Sequence, residues 1–230
     1  DLETFLASKH IAFNACKGDS LNLVIDEYSN NLIKGFSNKR KTEFVNGRAC
    51  AISALKKLGV ANPAISSITT GSIGEPIFSD EIALSISHSK DFYCAIAANK
   101  KDFITLGIDV EPTSKILSKC AFELILNEDE IEWFHKIKNN INILEPLLRL
   151  LIFSAQESAI KAFSPLLSRK LFFDFVSVFP DFIEKSRTHG VKSFNAILKN
   201  SLNNDYPKDY SFEGKYYNDA GYLITLSYLQ

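Results

Sequence analysis

Residues 103–112 read FITLGIDVEP, in which apolar side chains alternate with small or polar ones. Alternation with a period of two is typical of a β-strand, because successive side chains of a strand point to opposite faces. One face is predicted to carry Ile104, Leu106, Ile108 and Val110, and the other Thr105, Gly107, Asp109 and Glu111. The stretch therefore predicts a strand that ends at Pro112 and projects two carboxylates, those of Asp109 and Glu111, from one face.

Two further runs with the same alternation, residues 82–88 and 92–98, precede this strand. The links between the three runs are short and polar, so an antiparallel meander is the simplest connection. In a meander the first and third strands run in the same direction, and their C-terminal ends lie about 10 Å apart if one strand separates them. The side chains of Ser87 and His88 are therefore expected near the two carboxylates.

The clearest helical pattern spans residues 39–58, where apolar-stripe positions recur at steps of four, four and three and Gly59 is placed to end the helix. Arg48 falls within this stripe. Its stem could pack on the core while its guanidinium reaches outward to solvent, or its guanidinium could bind an anion at the edge of a cleft. The spacing alone leaves both interpretations open.

The second half of the chain mixes helical and strand patterns. The pattern Asn-x-x-Glu at residues 127–130 is that of a capping box and predicts a helix that runs to about residue 138. A second helical stretch is predicted after Pro146, and the similar pattern Ser-x-x-Glu at residues 154–157 predicts the start or restart of a helix that Pro165 closes. Strands are predicted at residues 171–179, 210–217 and 222–228. The sequence thus predicts an α+β protein with antiparallel pairing.

The composition is that of an ordinary globular protein, with 46% hydrophobic and 23% charged residues among 230. The net charge of −1 creates no global field toward nucleic acid or an anionic membrane, so neither partner is expected. The longest apolar run, residues 147–153, is too short to span a membrane. The four cysteines and four histidines are scattered without metal-ligand spacing, which predicts reduced thiols in a cytoplasmic protein and no transition-metal site.

Three carboxylates remain as candidates for chemistry, those of Asp109, Glu111 and Glu157. Magnesium favours such a set, since it prefers oxygen ligands and often joins carboxylates to substrate phosphates. Two plainer interpretations stand beside this one. The strand carboxylates could belong to a solvated polar face, and Glu157 could form a surface ion pair with Lys161, four residues along the helix.

Six segments, in this order and spacing, resemble the signatures of phosphopantetheinyl transferases of the larger, surfactin-type class, and most closely the siderophore branch typified by enterobactin synthase component D. They are KRKTEFVNGRACA at residues 39–51, GEP at 74–76, SISHS at 85–89, GIDVEP at 107–112, FSAQESAIKA at 153–162 and, more faintly, FEGKY at 212–216. The resemblance implies an α+β fold of two similar α/β halves in a pseudo-two-fold arrangement, with the active site between them.

The resemblance also implies a place for each half. With Pro112 as the boundary, residues 1–112 would form the nucleotide side with the metal strand, and residues 113–230 would supply the helix with Glu157 and Lys161. Two halves in one chain make a monomer the simplest expectation.

Roles for individual residues follow from the same resemblance. Asp109, Glu111 and Glu157 would hold a magnesium ion. Lys161 would serve the diphosphate and the leaving group, and Glu157 is also a candidate base. Coenzyme A would be bound by Arg40, Arg48, Glu75, Pro76, Ser87, His88, Asp109 and Lys161. A carboxylate in the first turn of a helix beside a cation favours its charged form, so Glu157 suits the role of metal ligand better than that of base.

Two positions depart from the family pattern, which usually has lysine at position 156 and commonly a basic residue at position 75. This chain has Gln156 and Glu75 there. We expect the departures to affect the affinity for coenzyme A more than the chemistry. Successive helix residues are about 100° apart, so Gln156 would flank the diphosphate at best.

The implied reaction is magnesium-dependent transfer of the 4′-phosphopantetheine arm of coenzyme A to a serine of an apo carrier protein, with release of adenosine 3′,5′-bisphosphate. The carrier would be a peptidyl, aryl or acyl carrier domain of siderophore synthesis, such as that of enterobactin, or of other nonribosomal peptide synthesis. Alternatives are a non-catalytic carrier-protein or nucleotide-binding protein on the same fold, and another magnesium-dependent phosphotransferase or hydrolase. The chain lacks the P-loop signature, and at 230 residues it is too long for the short trimeric holo-acyl-carrier synthases.

Overall fold

The computed structural model describes residues 1–18, 31, 33–137, 144–181 and 190–230. In the first half the elements are α1 (Leu2–Ser8), β1 (Ala12–Lys17), α2 (Asn38–Lys57), the short β2 (Thr69–Thr70) and β3 (Pro76–Ile77), then β4 (Ile82–Ser89), β5 (Phe92–Asn99) and β6 (Thr105–Pro112). They are followed by α3 (Lys119–Glu123), α4 (Glu128–Ile137), α5 (Glu145–Leu166), β7 (Val176–Pro180), β8 (Lys192–Leu198), β9 (Ser211–Asp219) and β10 (Tyr222–Leu229). The α+β class is confirmed.

The strands form antiparallel sheets, but the expected meander is wrong. One sheet has the order β1-β5-β4, another the order β6-β10-β9-β8-β7, and β2 pairs with β3. β6 therefore pairs with β10, more than a hundred residues later in the chain, and not with β5. Alternation identifies a strand and its faces, whereas the choice of partner depends on contacts remote in sequence.

β4 and β6 nevertheless lie side by side, because two serine hydroxyls join the sheets. The backbone N–H groups of Ile108 and Val110 donate to the Oγ atoms of Ser85 and Ser87, at 3.1 and 3.2 Å. The residue numbers rise together across these bonds, so the two strands run in the same direction. The expected proximity of the strand ends is confirmed, although β4 and β6 are direct neighbours and not separated by a third strand.

Each long helix covers one of the larger sheets. α2 packs on β5 through small side chains, with Ala51 and Ala54 in the same apolar cluster as Ala95 and Ala97. α5 packs on β6 and β10 of the other sheet. Between the sheets, the apolar face of β6 joins a cluster that also includes Ile96 of β5. The predicted alternation of β6 is thus confirmed, except that Ile104 precedes the strand and is exposed.

The predicted helix at residues 39–58 is confirmed, and Ser37 caps its first turn by accepting a hydrogen bond from the Arg40 N–H. The capping box at residues 127–130 is also confirmed by reciprocal hydrogen bonds of 2.8 and 3.1 Å. The predicted end of that helix, near residue 138, lies outside the described residues. The helix predicted after Pro146 is confirmed as α5, which begins at Glu145, but the second capping box is wrong because Ser154 lies in the middle of α5.

The two C-terminal strands are confirmed as the hairpin of β9 and β10, joined at residues 219–222. Of the strand predicted at residues 171–179, only the end is extended, since a 3₁₀ turn occupies Phe173–Phe175 and β7 begins at Val176. The sequence did not predict β1 or β8. The domain boundary near Pro112 stays a prediction.

Candidate active site

Asp109 lies where β4, β6 and α5 meet, and its carboxylate is almost fully buried. Lys161 on α5 places its Nζ 2.7 Å from Asp109 Oδ1 and 2.9 Å from Ser87 Oγ. Ser87 in turn donates to Asp109 Oδ1 at 3.1 Å, and Ser154 on α5 donates to Oδ2 at 2.7 Å. Asp109 is therefore oriented by groups from two neighbouring elements.

The close approach of α5 to β6 depends on Gly107. A Cβ at this position would lie 1.9 Å from the backbone oxygen of Ser158, so any side chain would push the helix away. Thr105 fixes the next turn of the helix by donating to the Ala162 carbonyl at 2.6 Å. The polar face of β6 is thus covered by the helix that carries Glu157 and Lys161, and the alternative of a solvated polar face is wrong.

Glu111 is held separately from Asp109, although both project from the same face of β6. Ser89 donates to Glu111 Oε2 at 2.9 Å, and the Lys115 ammonium lies 2.5 Å from Oε1. The same ammonium lies 4.4 Å from the centroid of the Phe153 ring, a cation–π contact. Each strand carboxylate therefore has one serine of β4 and one lysine as partners.

Glu157 is half-buried and lies beside the two strand carboxylates. Burial raises the pKa of its carboxyl, the charges of Asp109 and Glu111 raise it further, and Lys161 and Lys115 oppose this. Glu157 forms no hydrogen bond or salt bridge with the parts of the chain that the structure describes. The expectation that it lies in the first turn of a helix is wrong, and so is the surface ion pair, since the Lys161 ammonium contacts Asp109 instead.

The environment of Lys161 keeps its ammonium charged. Burial alone would lower the pKa of Lys161, but the attraction of Asp109, the hydrogen bond to it and the charge of Glu157 outweigh burial and raise this pKa. A charged ammonium group next to these carboxylates can neutralise an anionic group that reaches the site. We call Asp109, Glu111 and Glu157 the carboxylate cluster.

The chemistry of the carboxylate cluster suits a hard divalent cation. Among residues 1–18, 31, 33–137, 144–181 and 190–230, no three acidic, histidine or cysteine side chains are already placed as a set of metal ligands. Two of the three carboxylates instead contact the ammonium groups of Lys161 and Lys115. The donors are all carboxylate oxygens, and the repulsion that raises the pKa of Glu157 is what a cation would relieve. These residues could hold a magnesium ion.

A second feature, which we call the basic cleft, opens on the other face of β4. Its volume is about 120 Å³, and its walls are formed by Arg40, Glu43, Phe44, Gly47, Arg48, Gly74, Pro76, Ile86 and His88. A Cβ at Gly47 would lie 2.9 Å from Ile86 Cγ2, so this glycine lets α2 approach β4 at the floor of the cleft. Successive residues of β4 thus serve the two sites, Ser87 the carboxylate cluster and His88 the basic cleft.

Arg48 is buried in the wall of the basic cleft. Its guanidinium carbon lies 3.5 Å from the centroid of the Phe44 ring, Nε donates to the Ile68 carbonyl at 3.3 Å, and Nη2 donates to Thr70 Oγ1 at 2.8 Å. Burial, followed by repulsion from Arg40, lowers the pKa of Arg48 to about 10. The outward-reaching guanidinium is therefore wrong, and a bound anion would favour the charged guanidinium and so oppose the shift.

His88 links the two sites electrostatically. Its Nε2 lies 3.9 Å from Glu43 Oε2. Burial lowers the pKa of His88, Glu43 opposes this, and the charges of Lys161 and Asp109 in the neighbouring site also act on it. The charges at the carboxylate cluster thus act on a residue in the wall of the basic cleft.

Glu75 is the candidate whose side chain turns away from this region. Its Oε2 accepts a hydrogen bond from the Ile73 N–H at 3.1 Å, and its carboxylate covers Gly71, where a Cβ would lie 2.0 Å from Oε1. The neighbours Gly74 and Pro76 line the basic cleft, but Glu75 does not appear in its wall. Its role in binding a ligand stays a prediction.

Gln156 faces away from the carboxylate cluster, in agreement with the helix spacing, and it does not reach even the flanking position that this spacing allowed. Its side chain is fully buried, and Nε2 donates to Glu130 Oε1 at 3.0 Å and to the Ile125 carbonyl at 3.3 Å. Glu130 is also fully buried, and it accepts the Val178 N–H at 2.8 Å and lies 3.5 Å from the Lys199 ammonium. Position 156 thus faces α4 and β7, on the side of α5 away from β6.

Several contributors to the site were not predicted as such. Glu43 and Ser89 lie within segments that carry the family resemblance but were given no role, and Lys115 and Thr225 lacked any signal beyond ordinary polarity, although Thr225 stands out as a polar residue in an apolar strand. Ser154 was within a quoted motif but was interpreted as a helix cap. Within the described part of the chain, none of the helices combines the length and the apolar character that crossing a bilayer would need.

Comparison with known proteins gives consistent similarities along the chain. Residues 29–98 match the model of the 4′-phosphopantetheinyl transferase N-terminal domain, and residues 105–226 match that of the 4′-phosphopantetheinyl transferase superfamily. The chain is 28% identical to 4′-phosphopantetheinyl transferase Npt of Nocardia iowensis over 84% of each protein. It is 30% identical to 4′-phosphopantetheinyl transferase Svp of Streptomyces mobaraensis, over 75% of this chain and 67% of Svp. It is 34% identical to enterobactin synthase component D of Salmonella typhi, over 57% of this chain and 52% of that protein.

Proposed function

We propose, from the premise that this chain belongs to the 4′-phosphopantetheinyl transferase superfamily, that it transfers the 4′-phosphopantetheine arm of coenzyme A to a serine of a carrier protein with the help of magnesium. The observation that carries the proposal is the placement of the basic cleft and the carboxylate cluster on opposite faces of β4, with Lys161 beside Asp109. A diphosphate bridging the two would meet cations on both sides.

The basic cleft would bind the nucleotide end of coenzyme A. Arg40, Arg48 and His88 offer N–H donors to phosphate oxygens, and the two hydrogen bonds that Arg48 already makes leave guanidinium donors for a ligand. Because Arg48 is held by Phe44 and Thr70, its donors are fixed before the ligand arrives. This preorganisation reduces the entropy lost on binding.

At the carboxylate cluster, the serine hydroxyl of the carrier would attack the β-phosphate of coenzyme A. A bond forms between the serine oxygen and this phosphorus, the bond to the oxygen of the α-phosphate breaks, and adenosine 3′,5′-bisphosphate leaves. Lys161 would neutralise charge on the diphosphate and the leaving group. Asp109, Glu111 and Glu157 would hold a Mg²⁺ ion, which would supply positive charge against the negative charge of the diphosphate.

The proton of the attacking hydroxyl needs an acceptor. Glu157 is available for this role, directly or through water, because its carboxylate has no hydrogen bond to the described chain and its pKa is raised. The same raised pKa reflects burial and, after it, the like charges of Asp109 and Glu111, whose repulsion a cation would relieve. We therefore retain Glu157 as a metal ligand first and as a base second.

The identity of the carrier is the least constrained part of the proposal. Similarity to enterobactin synthase component D favours a peptidyl or aryl carrier domain of siderophore synthesis or of another nonribosomal peptide pathway. We further propose that the enzyme acts as a cytoplasmic monomer, which is compatible with the free thiols of all four cysteines.

The proposal can be tested directly with purified protein. The protein is mixed with Mg²⁺, coenzyme A and a panel of apo peptidyl, aryl and acyl carrier domains, and the intact mass of each carrier is measured. One or more carriers should gain the mass of one phosphopantetheine arm, and this gain should disappear in EDTA. If coenzyme A binds but no carrier gains mass, the non-catalytic alternative replaces the enzyme.

A further inference from the structure

Four fully buried hydroxyl side chains connect α5 to β10 in two pairs, which we call the hydroxyl ladder. In the first pair Ser154 Oγ lies 2.9 Å from Thr225 Oγ1, and in the second Ser158 Oγ lies 2.9 Å from Ser227 Oγ. The helix partners are four residues apart and the strand partners two apart, so the pairs lie one above the other between the two elements.

The proton of Ser154 is directed at the site. Asp109 pairs with an ammonium group and accepts hydrogen bonds, so at the 2.7 Å contact Ser154 must donate to Asp109 Oδ2. A hydroxyl has one proton, and Ser154 Oγ therefore accepts from Thr225. The Thr225 proton is shared between Ser154 Oγ at 2.9 Å and the Ser154 carbonyl at 2.8 Å. Thr225 thus holds the oxygen of Ser154 in the orientation that serves Asp109.

The second pair is similar in chemistry but does not reach the site. Ser158 donates to the carbonyl of Ala155 at 2.9 Å, within its own helix, and accepts from Ser227. Its proton is used by the backbone, as is common for serine in a helix interior. The two pairs therefore provide a matched comparison, since both join α5 to β10 and only the first contacts a carboxylate.

We propose that Ser154, supported by Thr225, is a positioning residue for the Asp109 carboxylate. Ser87 and Lys161 contact Oδ1, and Ser154 contacts Oδ2, so the carboxylate is held at both oxygens and cannot rotate freely. Fixing a ligand before the cation and the substrate arrive lowers the cost of binding them. The inference rests on the proposed function, because it gives an added role to a side chain of the proposed metal site.

The test compares Ser154→Ala with Ser158→Ala in the full chain. Each change removes one buried hydroxyl between the same two elements, so the melting temperatures should fall by similar amounts. Mn²⁺ serves as the probe of the metal site, titrated in the presence of coenzyme A and followed by the loss of the electron paramagnetic resonance signal of free Mn²⁺. Ser154→Ala should weaken Mn²⁺ binding about ten- to hundredfold, and Ser158→Ala by less than about twofold.

Steady-state kinetics separate kcat from KM and so add a second readout, in which Ser158→Ala controls for the loss of stability. In Ser154→Ala, kcat should fall about ten- to hundredfold, while KM for coenzyme A changes much less because the basic cleft is intact. Ser158→Ala should keep both constants close to the wild-type values. Equal Mn²⁺ affinities in the two variants, or normal Mn²⁺ binding by Ser154→Ala, would overturn the proposal.

Two arrangements keep the test decisive. If Ser154→Ala does not fold, Thr225→Val removes the supporting hydroxyl at nearly constant volume and should weaken Mn²⁺ binding in the same direction, though by less. An unchanged affinity in Thr225→Val would then reject the positioning role. The Mn²⁺ titration needs no carrier protein, so it tests the positioning role of Ser154 even if the wild-type protein transfers no phosphopantetheine arm to any carrier. Absence of Mn²⁺ binding by the wild type would also overturn the inference.

Discussion

The basic cleft and the carboxylate cluster share β4 but are built in different ways. Five of the nine residues in the wall of the basic cleft come from the first three turns of α2, and the rest come from β4, the start of β3 and the turn between β2 and β3. The carboxylate cluster combines β6 and α5, with oriented hydroxyls from β4 and β10. The basic cleft is therefore a local surface whose hydrogen-bond donors are already oriented. The carboxylate cluster forms only when both sheets and α5 are assembled.

This difference predicts different consequences of mutation. Under the proposed function, a change in the basic cleft would remove contacts to a distant part of the substrate, which are similar in the ground state and the transition state and so would affect KM. A change in the carboxylate cluster would remove groups at the reacting phosphate, which would affect kcat. The cluster also carries buried charges, so its variants should alter stability as well.

The largest effect is expected for Asp109→Asn. Transfer should fall by at least about a hundredfold, because the substitution removes the charge that holds Lys161 and could bind a metal. The free energy of unfolding should also fall by about 1–3 kcal/mol, less than for a fully buried pair because the Lys161 side chain retains 29% exposure. Transfer rate and chemical denaturation measure the two effects.

Glu130→Gln is the matched control for Asp109→Asn. Glu130 is another buried carboxylate beside a lysine, but it lies between α4 and β7 and away from the cluster. Glu130→Gln should lower the free energy of unfolding, while the transfer rate stays within about twofold of the wild-type value. If both variants lost activity in proportion to stability, the special role of Asp109 would be rejected.

Glu157→Gln should lower activity but not stability, which is the opposite of what we expect for Glu130→Gln. Transfer should fall by about a hundredfold or more, because a ligand and candidate base is lost. The fold should not weaken, since the Glu157 carboxylate makes no hydrogen bond to the described residues. Because its pKa is raised on folding, the charged form destabilises the protein above the folded pKa, and this penalty is absent below the unfolded pKa.

The sign of this effect can be measured by thermal melting in EDTA at two values of pH. At pH 8 Glu157→Gln should melt about 2 °C above the wild type, and at pH 4 the two should melt together. A variant that melts below the wild type at pH 8 would show that the Glu157 charge stabilises the fold.

Arg48→Ala should affect the other site. We expect KM for coenzyme A to rise about ten- to hundredfold, the range for a lost hydrogen bond to a charged group, with a smaller change in kcat. Kinetics with dephospho-coenzyme A show whether Arg48 contacts the 3′-phosphate, because the effect should then shrink. Arg149→Ala is the control, since Arg149 also lies over aromatic rings but belongs to the second half of the chain. This variant should leave KM unchanged. Equal KM effects of the two variants would indicate a general loss of packing.

The smallest effect on activity is expected for Gln156→Lys. The new ammonium would meet Glu130 in the interior and not the substrate, so KM for coenzyme A should change by less than about twofold, roughly 0.4 kcal/mol. Glu130→Gln in the same background should remove any change in melting temperature that the lysine causes. A tenfold gain in affinity for coenzyme A would mean that position 156 reaches the diphosphate after all.

The glutamine at position 156 of this chain has a structural explanation. Glu130 is buried and needs partners, which here are the Gln156 amide, the Val178 N–H and the Lys199 ammonium. The sequence reveals the departure at position 156 but not the direction in which the side chain points. Helix spacing says only that residues 156 and 157 face different ways. Which way each faces depends on the sheet that α5 covers.

The sequence by itself determined the elements whose signal is local. Periodicity was sufficient for α2 with Arg48 in its apolar stripe, for the two faces of β6 and for the hairpin of β9 and β10. Together with the resemblance it singled out Asp109, Glu111, Glu157 and Lys161. These are properties of spacing and residue type, which a chain carries before it folds.

Only the tertiary structure decided which of these groups meet. The partner of β6 is β10, the ammonium group of Lys161 selects Asp109 over Glu157, and Ser154 orients a carboxylate where a helix cap was expected. The physical reason is that hydrogen bonds and charge pairs act over a few ångströms, while the residues involved lie 45 to 124 positions apart in the chain. Folding alone brings them within that range.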